Sequence, residues 1–125
     1  MSMQGKKILV VEDEAILALD LRFAFEDLGA SVVGPCHRLG SALSAAERGG
    51  IDGAVLDVDL AGETVFPLAD ALARAQVPFL FHTGRLNPQL LADRYAGAPV
   101  CLKPTDPGEV AQTLSDLIDG RAARH

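Results

Sequence analysis

Five short apolar runs, each about one strand long, alternate along this chain with five stretches of about helix length. The runs are residues 7–11, 31–34, 53–56, 78–82 and 99–102, and each is bounded by Gly, Pro or charge. Short, continuously apolar runs are what strands buried on both faces of a parallel sheet require. The stretches between and after them, roughly 14–28, 39–48, 64–75, 88–96 and 107–119, then read as helices. Such alternation over 125 residues predicts one α/β domain with a parallel sheet and right-handed crossovers. The length suffices for one core and not for two. Only residues 120–125 read as loose.

The first helical stretch carries a conflicting signal. Leu17, Leu19, Leu21, Phe23 and Phe25 alternate with Ala18, Asp20, Arg22 and Ala24, which alone is the period of a strand. The segment is too long for a typical strand, begins with acids and ends at Gly29, all helix signals. At 100° per residue, Leu17, Leu21, Ala24 and Leu28 form the stripe expected to pack on the sheet. Ile16, Leu19 and Phe23 form a second stripe on the far side. That stripe reads either as scattered surface apolars or as a docking patch for a partner.

Charge and hydropathy exclude several classes. Net charge is −6, so a basic nucleic-acid surface is not expected. No run of 18 or more apolar residues exists to span a membrane, and the N-terminal stretch lacks the form of a signal peptide. Cys36 and Cys101 have no metal-type spacing and read as reduced thiols of a cytoplasmic protein, one of them in the core.

The chemistry gathers at strand ends. Glu12 and Asp13 follow the first run, Asp57 the third, Thr83 the fourth and Lys103 the fifth. In an open α/β sheet, ligands bind at the carboxyl ends of the strands. Clustered carboxylates repel one another unless a cation joins them, which points to a divalent metal. His82 alternates with Phe81 and Thr83 and reads as a core histidine, while Cys36–His37 lacks the further ligands of a metal site.

The acidic pair, the strand-ending Asp57, Thr83 and the Lys103-Pro104 pair, in this order, resemble the receiver domain of bacterial response regulators over essentially the whole chain. The resemblance implies a flavodoxin-like, doubly wound sheet of five parallel strands in the order 2-1-3-4-5, helices on both faces. The domain would occupy residues 3–121, with 122–125 as a flexible tail. It implies that Asp57 is the phosphorylated nucleophile, that Thr83 contacts the phosphoryl group and that Lys103 supplies counter-charge. It implies Mg²⁺ (or Mn²⁺) held by Asp13 and Asp57, by Glu12 mainly through water, and by the Asp59 backbone carbonyl. The implied partners are a histidine kinase or histidine phosphotransfer protein and an unknown downstream protein. The chain is then a stand-alone monomer or weak dimer that catalyses only its own phosphorylation and dephosphorylation.

Four departures stand out. Val100 occupies the position three before the lysine, often aromatic in this family, so a Thr-to-ring switch is not expected there. Thr105 follows Lys103-Pro104 where an aromatic is common. The segment from Thr83 to Lys103 is short and holds Pro88, Gly97 and Pro99, which predicts a brief fourth helix. Asp59 and Arg85 stand at positions that tune acyl-phosphate lifetime in the family. Two other classes compete. Leu56-Asp57-Val58-Asp59 resembles the Asp-x-Asp motif of haloacid-dehalogenase-like phosphohydrolases, although there it follows the first strand and Glu12 and Asp13 would go unused. A non-phosphorylated pseudo-receiver binding module would lack the Asp, the acid pair or the lysine, all present here.

Overall fold

The computed structural model describes residues 3–84 and 87–123, with side chains to residue 120. In chain order the elements are β1 (Lys7–Val11), α1 (Ala15–Asp27), β2 (Ser31–Cys36), α2 (Leu39–Glu47), β3 (Gly53–Leu56), β4 (Asp59–Leu60), β5 (Glu63–Thr64), α3 (Phe66–Arg74), β6 (Phe79–Thr83), α4 (Pro88–Arg94), β7 (Val100–Leu102) and α5 (Pro107–Ala123). Five of the strands form one parallel sheet in the order β2-β1-β3-β6-β7. Counting only those five, the order is the doubly wound 2-1-3-4-5. β4 and β5 form a separate two-stranded antiparallel hairpin after β3, which the sequence pattern did not signal.

Alternation along the strands builds two cores. Leu9, Val11, Ala54, Leu56, Phe79 and Phe81 face α2, α3 and α4. Ile8, Val10, Val55 and Leu80 face α1 and α5. Both faces are thus covered, which is why the strands read as unbroken apolar runs. The buried stripe of α1 is Ala18, Leu21 and Phe25, with Ala24 and Leu28 partly buried beside it. The expected stripe ran through Leu17 and omitted Ala18 and Phe25, so the helix is rotated slightly from that reading. Ile16, Leu19 and Phe23 are 81%, 45% and 53% exposed, as the second stripe requires.

Local signals set the helix ends. Asn87 accepts a hydrogen bond from Gln89 N at 2.8 Å at the start of α4, and Pro88 takes a first-turn place where no N–H is needed. α4 is brief, seven residues, as the sequence predicts. Asp106 accepts from Gly108 N at 3.0 Å at the start of α5. That helix runs through Ala123 instead of loosening at Gly120: Arg121, Ala122 and Ala123 are strong helix formers and one glycine does not stop them. Arg124 and His125 lie outside the described residues, so the flexible tail expected over 122–125 gains a helical backbone at its first two positions.

Candidate functional site

Glu12 enters the site because β2 slips against β1. Gly34 has φ +100°, and a Cβ there would lie 2.6 Å from Cys36 N, so only glycine fits. The register shifts between Leu9 and Val11, and Glu12 N then donates to Cys36 O at 2.9 Å. His37, next along, brings Nδ1 to 2.8 Å from Glu12 O. A carbonyl only accepts, so that nitrogen carries the proton. On the other flank Asp57 N donates to Val11 O at 2.9 Å, which places Asp57 beside the acidic pair.

Glu12, Asp13 and Asp57 each offer a carboxylate oxygen, all within 4.8 Å of one another. Two of the three are buried: Glu12 is 0% exposed and Asp57 5%, whereas Asp13 is exposed. Lys103 Nζ lies 3.1 Å from Glu12 Oε2, 3.3 Å from Asp57 Oδ2 and 3.6 Å from Glu14 Oε2. Lys103 is delivered by the sheet: its N–H donates to Thr83 O at 3.0 Å, and Thr83, which ends β6, is fully buried. Sequence reasoning singled out the acids, Thr83 and Lys103, and the fold brings the three acids and the lysine together. The sequence places Glu14 in the same acidic run, but sequence reasoning did not assign His37 to this cluster. The order 2-1-3 could have pointed to His37, since the end of the second strand must adjoin that of the first.

Electrostatics decide what the cluster can hold. Burial, then the hydrogen bond and charge of Glu12, push Asp57 up to about 8, with Asp13 adding and Lys103 opposing. Burial also pushes Asp13 up, but the Ala61 N–H, a hydrogen bond to Asp57 and the Lys103 charge outweigh it and leave Asp13 lowered. The Ala61 N–H reaches Asp13 Oδ2 at 3.3 Å. Burial pulls Lys103 down, yet Glu12 and Asp57 together raise it, so it stays charged. One ammonium among three carboxylates leaves excess negative charge, and Glu12 Oε1 is buried with no hydrogen-bond partner. An all-oxygen set with one exposed member fits a hard divalent cation that keeps several waters, such as Mg²⁺. Asp59, whose carbonyl the sequence reading adds to the set, is half-buried in β4. Arg85 lies outside the described residues.

His82 is 1% exposed, a core histidine as expected, and its Nδ1 is 3.9 Å from Glu12 Oε1. Val100 is half-buried on β7, and no ring stands there. Rings gather instead at the end of α4. Tyr95 is 7% exposed, its ring lies 5.3 to 5.9 Å from those of Phe81, Phe79 and Phe66, and its hydroxyl donates to Asp70 at 2.7 Å. Arg94 stacks 4.4 Å over Phe66 and reaches Asp70 at 3.6 Å. This clasp between α3 and α4 was not anticipated.

A sheet of this order with acids and a lysine at its carboxyl edge defines the receiver class. Comparisons agree, although no family model matches the chain. The Phyllosphere-induced regulator PhyR of Methylorubrum extorquens AM1 is 30% identical over 115 residues, 90% of this chain and 43% of PhyR. The chain therefore spans less than half of that relative. The solution structure of SdrG from Sphingomonas melonis Fr1 is 35% identical with a TM-score of 0.77, covering 94% of this chain and 98% of SdrG. The non-phosphorylated HemR receiver domain from Leptospira biflexa is 26% identical with a TM-score of 0.79, covering 90% and 94%. The chain belongs to the receiver domains of response regulators.

Proposed function

We propose that this receiver is a phosphoacceptor, with residues 3–121 as the unit that takes a phosphoryl group from a histidine kinase or histidine phosphotransfer protein onto Asp57. The observation that carries the reading is Lys103 Nζ held between Glu12 and Asp57, at 3.1 and 3.3 Å. An ammonium so placed keeps one Asp57 oxygen oriented and meets the charge that a phosphoryl group brings. An Asp57 oxygen forms a bond to phosphorus as the donor's phosphorus–nitrogen bond breaks, leaving an acyl phosphate and a free imidazole. Thr83 is assigned to the phosphoryl oxygen through its hydroxyl. Glu12, Asp13, Asp57 and the Asp59 carbonyl would hold Mg²⁺, which when bound neutralises carboxylate and phosphoryl charge. The signal then leaves through protein contacts.

The partner's approach has a candidate surface. A groove of about 800 Å³ beside the site is lined by Ile16, Leu17, Asp20, His82, Lys103 and Pro104. Exposed Ile16 at its rim belongs to the apolar stripe of α1. Incubation with acetyl phosphate and Mg²⁺ tests the reading. A mass increase of one phosphoryl group, labile to hydroxylamine and absent in Asp57→Asn, supports it. No mass increase leaves a non-phosphorylated binding module.

A further inference from the structure

The two oxygens of the Glu12 carboxylate have unequal surroundings. Oε2 accepts from Lys103 Nζ at 3.1 Å and from Glu14 N at 3.2 Å. Oε1 is sealed from solvent with no partner. The group facing it is His82, whose Nδ1 is 3.9 Å away and whose two ring nitrogens are likewise buried without partners. His82 projects from β6 toward α1, the side on which Leu80 lies, one residue before Thr83. Buried polar groups are seldom left unpaired, and here two of them face each other.

The spacing and chemistry narrow the contact. Two hydrogen bonds of about 2.8 Å to a shared water would set the heavy atoms about 4.5 Å apart, so the gap is too short for a bridging water. An imidazole nitrogen bears either an N–H or a lone pair, whereas a carboxylate oxygen offers only lone pairs, so a hydrogen bond between the two needs the proton on the nitrogen that faces Oε1. The proton therefore belongs on Nδ1.

We propose that His82 is a positioning residue of the acidic site, its Nδ1–H closing on Glu12 Oε1 so that Oε2 stays on Lys103 and the carboxylate meets the cation in one orientation. The inference rests on the Mg²⁺-dependent phosphoacceptor reading and names a residue which that reading does not use. With His37 on the Glu12 carbonyl, each end of this acid is held by an imidazole. Donors behind a metal-binding carboxylate typically alter metal affinity about 10–100-fold.

The test compares His82→Leu, which fills the space without a donor, with His82→Asn, whose amide N–H can take the place of Nδ1–H. Mg²⁺ binding is measured by calorimetry and the tautomer of His82 by ¹⁵N NMR of the unaltered protein. The expected result is about tenfold weaker Mg²⁺ binding for His82→Leu, recovery to within about threefold of the parent for His82→Asn, and an Nδ1–H tautomer. Equal Mg²⁺ affinity for a folded His82→Leu, or an Nε2–H tautomer, overturns the proposal. Should His82→Leu not fold, the Asn variant and the tautomer still decide. A parent protein that binds no Mg²⁺ overturns the phosphoacceptor reading instead, and the tautomer then judges the contact alone.

Discussion

Asp57→Asn removes a charge from a place that resists it. The carboxyl is 5% exposed and stands beside Glu12 and Asp13. In the absence of a cation, burial and then Glu12 lift it from 3.8 to about 8. A folded-state value above the unfolded one means that its contribution to stability is full below about 3.8 and is lost as pH rises to about 8. Within that window folding takes up a proton, so each pH unit removes about 1.4 kcal/mol. The whole window amounts to on the order of 5 kcal/mol, a large part of the roughly 5–15 kcal/mol that holds a domain folded.

Asparagine keeps the shape and abolishes the titration. In EDTA, the variant and parent should have similar stability near about pH 4. The variant should then gain steadily, reaching several kcal/mol by about pH 9. Urea unfolding followed by circular dichroism measures both, and the difference cancels the other groups that titrate. Saturating Mg²⁺ should shrink the gap, because the variant lacks one of the proposed ligands and gains less from the cation than the parent does. A difference that stays level from about pH 5 to about pH 9 would show that Asp57 carries no strained charge, and would refute the reasoning.

Mg²⁺ must displace the proton from Asp57, so its affinity should fall about tenfold for each pH unit below about 8, read by calorimetry. Lys103→Met takes the ammonium away from the buried Glu12 carboxylate and should lower the unfolding free energy in EDTA by about 3 kcal/mol in urea titrations at neutral pH. Tyr95→Phe removes the 2.7 Å hydrogen bond to Asp70 and should cost about 1–2 kcal/mol by the same measurement, against about 3–5 kcal/mol for Tyr95→Ala. Phe23→Glu, on the exposed stripe of α1, should leave stability within about 0.5 kcal/mol and slow phosphoryl transfer from the cognate histidine donor while sparing acetyl phosphate.

The sheet was legible because burial on both faces writes itself as unbroken apolar runs. The helix ends were legible to within a few residues because Pro88, Pro107 and Gly29 constrain backbone locally. The hairpin of β4 and β5 was not: two-residue strands have no period to detect, and Val58 and Leu60 could be read as any buried loop. The rotation of α1 was hidden by its excess of apolar residues. With Leu17, Leu21, Phe23 and Phe25 all on offer, periodicity allows several stripes, and contact with β1 and α5 selects Ala18, Leu21 and Phe25.

The acidic pair shows how much of a site depends on parity. Val11, the last residue of β1, faces α2 and α3, so Glu12, the next residue, turns to the side of α1 and α5 with its N–H still on Cys36 O. Asp13 follows one residue further out. Two adjacent acids thereby receive opposite environments, one sealed against Lys103 and His82, the other open to solvent and to the Ala61 N–H. Sequence types alone treat them alike. The same geometry separates Val100 from Tyr95. A ring on β7 would stand at the sheet edge, whereas the ring on Tyr95 sits under β6 against Phe81, two residues before Thr83, with its hydroxyl on α3. The aromatic mass missing from β7 is therefore not missing from the fold. It lies between β6 and α3, where Tyr95 packs on Phe81 and bonds Asp70.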